Sequence, residues 1–223
     1  MKKLIDINYL ERKPRKQLDK NPLIMLIHGY GSNEADLFSF AEDLPDEFHV
    51  VSVQGLHTLS LDMYAWYEID FINMEKFNNV PQGIESRNKL VEFIAEIIQI
   101  ENLDKDNVWL CGFSQGAILS YSIALNFPEK VRNICCLSGY PEPNFLGEMN
   151  PSINYKNLNF FISHGTDDMV IPIEWAQKAK PLLDELNISF EYHEYRSGHG
   201  IVPQNYWDLM EWMKKELQTQ NNQ

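Results

Sequence analysis

The sequence predicts an α/β fold with a mostly parallel central sheet flanked by helices on both faces. Three observations lead there. Short β-rich runs alternate with longer segments of helical period, the alternation produced by parallel strands joined through crossover helices. The 223-residue chain is 44% hydrophobic and 23% charged, so it can bury a sizeable core and lies far from disordered compositions. No repeat, low-complexity block or Pro/Gly/Ser-rich linker divides it, so residues 1–223 are expected to form one domain, with 218–223 as a frayed tail.

In chain order, the run near residues 5–9 reads as an edge strand, and further strands are expected at 23–28, 49–53, 108–111, 133–137, 159–163 and 189–195. Helices are expected at 34–44, 84–101, 115–126, 174–186 and 204–218. In 84–101, Leu90, Val91, Ile94, Ile97 and Ile98 recur at helical spacing, with Glu85, Lys89, Glu92 and Glu96 on the wetter side. Tyr206, Met210, Met213 and Leu217 form one face of the last helix, which Pro203 opens where a missing backbone donor costs little. Both stripes read as core packing. Residues 54–83 exceed an ordinary strand-to-helix connection and contain Tyr64, Trp66, Tyr67, Phe71, Ile72, Met74 and Phe77. So much apolar surface needs a place to bury, which favours a functional loop over a disordered one.

A net charge of -13 and a pI near 4.8 argue against nucleic acid and anionic membrane as partners, because both require a basic face. The short cluster Arg12, Lys13, Arg15 and Lys16 reads as a solvated loop. Three cysteines without metal-ligand or redox spacing, two of them the adjacent Cys135 and Cys136 of an apolar run, read as small buried hydrophobes in a reducing compartment. Asp6, Asn8 and Glu11 interrupt the apolar stretch that a signal peptide would need, so a cytoplasmic protein without stable membrane association is expected.

Gly112-Phe113-Ser114-Gln115-Gly116 follows the apolar run 108–111 and precedes Ala117-Ile118-Leu119, the strand, sharp turn and helix of a nucleophile elbow. A serine is a weak nucleophile unless the fold lifts its oxygen toward a base. Partners for it occur downstream. The strand at 159–163 runs into His164-Gly165-Thr166-Asp167-Asp168, and the strand ending near Tyr195 runs into Ser197-Gly198-His199-Gly200. His199 suits the base, since imidazole titrates near neutrality. Either Asp167 or Asp168 could orient it, and an acid there could also cap the next helix. The order Ser, Asp, His is that of α/β-hydrolases. The oxyanion donors expected on that plan are the backbone N–H groups of Gln115, directly after the serine, and of Tyr30, in the His28-Gly29-Tyr30-Gly31-Ser32 loop.

Over nearly its whole length the chain resembles the acyl-protein thioesterase and phospholipase/carboxylesterase family of α/β-hydrolases. The landmarks are His28-Gly29-Tyr30-Gly31, Ala65-Trp66-Tyr67, the Ser114 pentapeptide, Leu137-Ser138-Gly139, His164-Gly165 with Asp168 and Pro172, and Gly198-His199-Gly200. The resemblance implies a triad of Ser114, Asp168 and His199, selecting Asp168 over Asp167 by its position before Val170-Ile171-Pro172. It implies Tyr30 and Gln115 as the oxyanion hole, and Trp66 as a residue facing the site. Tyr67, Phe71 and Val170 are expected beside it as substrate contacts. Many relatives carry Arg where Tyr64 stands, so substrate preference does not carry over.

The expectation is a serine hydrolase acting on small esters, thioesters or lipid-like substrates through an acyl-Ser114 intermediate, with no metal or organic cofactor. No large cap is expected between Gly139 and Asn159, and a homodimer is compatible with the resemblance. A serine peptidase on the same scaffold and a non-catalytic ligand-binding relative are the competing classes.

Overall fold

The computed structural model describes residues 1–72, 75–147 and 153–221, without the side chains of 70–77, 220 and 221. Its core is an eight-stranded sheet of β1 (Lys2–Leu4), β2 (Ile7–Arg12), β3 (Pro22–Ile27), β4 (His49–Val53), β9 (Asp104–Phe113), β10 (Asn133–Leu137), β11 (Asn159–Gly165) and β12 (Ser189–Tyr195). The spatial order is β1-β2-β4-β3-β9-β10-β11-β12. Strand β2 pairs antiparallel with β1 and β4, and all other neighbours pair parallel.

Strands buried on both faces need apolar side chains at successive positions, and the central strands have them. Leu23, Met25 and Ile27 of β3, with Val108 and Leu110 of β9, join one core cluster. Ile24, Leu26, Trp109 and Cys111, from the same strands, join the other. The period of two likewise sends Cys136 to the first face and Cys135 to the second, and all three cysteines are free and buried.

Helices α2 (Val80–Glu101), α3 (Gln115–Asn126) and α5 (Ala179–Glu185) supply the first face, whereas α1 (Ala35–Phe38) and α6 (Pro203–Asn221) supply the second. The buried line of α2 is Leu90, Phe93, Ile94 and Ile97, with Val91 and Ile98 at its margin. Helix α3 is buried from Gln115 to Leu125, as a helix enclosed between sheet and α2 must be.

Several elements differ from the sequence expectation. The edge strand expected at 5–9 is a hairpin of β1 and β2, because Ile5 and Asp6 adopt positive φ and form its turn. The helix expected at 34–44 is one α turn followed by a 3-10 turn, Ser39–Glu42. Leu37, Ala41 and Leu44 keep a helical spacing of buried residues across that break, which is why the period reads as one helix. The segment 174–186 splits into α4 (Ile173–Ala176) and α5. Pro181 has no N–H with which to continue a helix begun at 173, and it sits acceptably in the first turn of a new one. The described residues of 54–83 contain the hairpins β5 (His57–Ser60) with β6 (Met63–Ala65) and β7 (Ile69–Ile72) with β8 (Glu75–Asn78), followed by the start of α2. Asn79 caps that helix by accepting the Gln82 N–H, so it begins earlier than expected.

The N-terminal cations are paired rather than merely solvated. Arg12 donates to the carbonyls of Leu44 and Pro45, while Lys13, Arg15 and Lys16 meet Glu101, Glu42 and Glu47. Among the described residues no helix is long and apolar enough to cross a membrane, and no cap is inserted over the carboxyl edge of the sheet.

Candidate active site

Strand order reverses between β3 and β9, and an open α/β sheet forms its crevice at the carboxyl ends of such strands. The loop 28–32 leaves β3 there, and Ser114 follows β9. Ser114 takes φ 55° and ψ -116°, a conformation L-residues rarely adopt, and its N–H donates to Leu137 O at 2.9 Å. Two glycines make the turn possible. A Cβ on Gly112 would lie 2.2 Å from Gly116 O, and one on Gly116 would lie 1.9 Å from Ile27 O.

The elbow brings together groups that are remote in sequence. His199 Nε2 lies 2.9 Å from Ser114 Oγ, and His199 Nδ1 lies 2.7 Å from Asp168 Oδ2. Asp168 Oδ1 accepts the N–H groups of Val170 at 2.8 Å and Ile171 at 2.9 Å. Burial alone would raise the Asp168 carboxyl, but the bonds from His199, Ile171 and Val170 outweigh it and hold the group below its ordinary value. An acceptor-only carboxylate requires the hydrogen on His199 Nδ1, which leaves Nε2 free to accept from the serine hydroxyl. Asp167 is exposed, and its backbone N–H donates to Ser197 O.

The loop after β3 is braced from within and without. Gly55 N–H donates to His28 Nε2 at 2.9 Å, so His28 Nδ1 carries the hydrogen and donates to Gly29 O at 2.7 Å. Burial depresses the basicity of His28 and keeps it neutral. Gly31 N–H donates to Tyr64 O and Tyr64 N–H to Ser32 O, both at 2.8 Å, so the β5–β6 hairpin fixes the loop. The backbone N–H of Gln115 opens α3, where no intrahelical acceptor exists, and that of Tyr30 has no acceptor among the described residues.

A cavity of about 190 Å³ opens on this centre, lined by Ser114, Gln115, His199, Tyr30, Tyr67 and Val170. Ile69, Asn78, Ile118, Tyr140, Ile171 and Trp175 complete its wall. These six were not legible in the sequence: they come from a hairpin, a helix face and three separate loops or short helices, with no shared spacing. A larger groove of about 490 Å³ lies between α1 and α6 and includes neither Ser114 nor His199; the smaller cavity is the one that meets the chemistry.

Trp66 requires a correction. It does not line the cavity but is fully buried behind the loop, its indole N–H donating to His28 O at 2.9 Å. Its backbone N–H donates to Gln115 Oε1 at 3.1 Å, and Gln115 Nε2 donates to Tyr67 O at 2.8 Å. Ser86 Oγ donates to Trp66 O. Gln115 therefore has a side-chain task that its sequence position beside the serine does not disclose. The Phe71 side chain lies outside the described residues.

A mostly parallel sheet with a strained serine at the elbow and a histidine returning from the last strand defines an α/β-hydrolase. The pattern for phospholipases and carboxylesterases matches residues 13–219, and the chain belongs to that family. It is 30% identical over 228 residues to acyl-protein thioesterase 1 of Kluyveromyces lactis, covering 95% of this chain and 98% of that protein. It is 27% identical over 164 residues to a probable carboxylesterase of Arabidopsis thaliana, covering 72% of this chain but only 62% of that protein. In three dimensions it resembles the Bacillus cereus carboxylesterase with a TM-score of 0.81 at 24% identity, covering 94% of each chain.

Proposed function

We propose that the protein is a serine hydrolase that cleaves small carboxylic esters or thioesters through an acyl-Ser114 intermediate. The observation that carries this reading is the continuous hydrogen-bond chain from Asp168 through His199 to Ser114, ending in a cavity. Ser114 Oγ attacks the acyl carbonyl as His199 Nε2 takes its proton. His199 then returns the proton to the departing alcohol or thiol, and a water deacylates the serine by the same route. Asp168 holds the ring in the working tautomer and stabilises the imidazolium. The N–H groups of Tyr30 and Gln115 stabilise the tetrahedral oxyanion.

The cavity favours short acyl groups. Its 190 Å³ modestly exceeds the roughly 150 Å³ that accommodates a benzene ring and falls below the ~300–1,000 Å³ of sites for drug-sized ligands. Three free, buried cysteines fit a reducing, cytoplasmic setting, and residues 1–223 are read as one domain. Ser114→Ala tests the reading: turnover of a p-nitrophenyl ester is expected to fall by about 10⁶-fold with the unfolding midpoint retained. Retained ester hydrolysis by the purified variant would overturn it.

A further inference from the structure

Asp168 is held by more than the triad uses. At the end of β11, His164 is fully buried, and its Nε2 lies 2.8 Å from Ile171 O and 3.2 Å from Asp168 Oδ2. Both neighbours only accept, so Nε2 carries the hydrogen. His164 Nδ1 is then a bare lone pair, buried and without a partner among the described residues. An unpaired buried nitrogen is unfavourable, so an imidazole here is a poor choice for packing alone. What the ring supplies is one N–H that binds Ile171 O, with Asp168 Oδ2 only 3.2 Å from the same nitrogen.

That hydrogen joins two parts of the site. Ile171 lines the cavity, and its N–H already binds Asp168 Oδ1. Asp168 Oδ2 is shared between His199 Nδ1 at 2.7 Å and the His164 N–H dipole at 3.2 Å. The groups facing the carboxylate are thus His199 from the loop before α6, His164 from β11, and the N–H groups of Val170 and Ile171 from its own turn. Each oxygen is approached by two N–H groups, which leaves the carboxylate no free rotation about its last bond.

Resting on the proposed triad, we infer that His164 is a positioning residue that acts through Asp168. Its N–H holds Ile171 O and lies beside Asp168 Oδ2, so that it anchors the turn carrying the carboxylate that orients His199. It also draws electron density from Oδ2, moderating how strongly Asp168 favours the protonated form of His199.

The test compares His164→Leu, which fills the space without a donor, with His164→Gln, whose amide reaches the Nε2 position with one. Rates are expressed per serine titrated with a fluorophosphonate. In His164→Leu kcat is expected to fall about 10- to 100-fold, the cost of a misplaced catalytic group, with KM nearly unchanged. The acidic limb of its kcat/KM profile should move to higher pH. His164→Gln should restore kcat to within a few-fold of wild type. Wild-type kcat and pH profile in His164→Leu, or equal impairment in both variants, would overturn the inference. Should neither variant fold, nitrogen NMR of the wild-type ring decides: hydrogen on Nε2 supports the inference, and hydrogen on Nδ1 overturns it. Failure of wild-type protein to react with the fluorophosphonate would instead count against the triad itself.

Discussion

Replacing Gln115 by Ala separates the role of its side chain from that of its backbone. The side chain is almost wholly buried and makes two hydrogen bonds, accepting from Trp66 N–H at 3.1 Å and donating to Tyr67 O at 2.8 Å. Trp66 and Tyr67 are themselves inaccessible to solvent, so truncation strands one donor and one acceptor in the interior. Each stranded group costs about 1–3 kcal/mol, giving a loss of about 2–6 kcal/mol. A water admitted to the vacated space would bring the loss to the lower end. For a chain of this length 1 kcal/mol corresponds to about 2–4 °C in Tm, so the variant should melt roughly 4–24 °C lower. Urea unfolding is the assay: the midpoint should fall at constant m, which marks lost stability rather than an altered unfolded state. Because the Gln115 backbone N–H remains, fluorophosphonate should still label the folded variant. A stability loss below about 0.5 kcal/mol would mean that this side chain does not tie the Trp66 segment to the elbow.

Two further outcomes follow from the same geometry. The folded-state carboxyl of Asp168 is held below its ordinary value, so its stabilising contribution is complete above its unfolded pKa of about 3.9 and is lost as pH falls through the lower folded value. The stability that Asp168 contributes over Asp168→Asn, followed by urea unfolding, should therefore still be present at about pH 5 and shrink as the pH falls below about 4. Trp175, which packs against Tyr140 with ring centroids 5.0 Å apart, closes part of the cavity wall. Trp175→Ala should shift the preference in kcat/KM from short toward longer acyl p-nitrophenyl esters, and an unchanged chain-length profile would place the acyl group elsewhere.

Much of the fold was legible because its signals are local. Strand Pro22–Ile27 is an unbroken apolar run, Asn133–Leu137 is one after its first residue, and α2 declares itself by its stripe. The elbow was legible for a similar reason: two glycines and a serine at a strand-to-helix junction have few other uses, and Asp168 and His199 stand at the ends of the following strands in the expected order. What escaped depends on distant contacts. The β5–β6 hairpin is stabilised by pairing with loop 28–32, as in the Ser32–Tyr64 bridge, rather than by an alternation strong enough to read locally. Trp66 is expected at the site because the family resemblance implies it, whereas its indole N–H is committed to His28 O behind the loop. Asn78, Tyr140 and Trp175 meet only through the folded chain, and no spacing in the sequence joins them.

In the proposed mechanism Ser114 is activated by His199 in the folded protein. Treatment of wild-type protein, His199→Ala and Ser114→Ala with a fluorophosphonate, followed by peptide mass spectrometry, tests it most directly. One adduct is expected on wild-type protein, mapped to Ser114, its rate reduced by several orders of magnitude in His199→Ala and the adduct absent from Ser114→Ala. Labelling of wild-type protein at another residue, or labelling of Ser114 at an undiminished rate without His199, would contradict it.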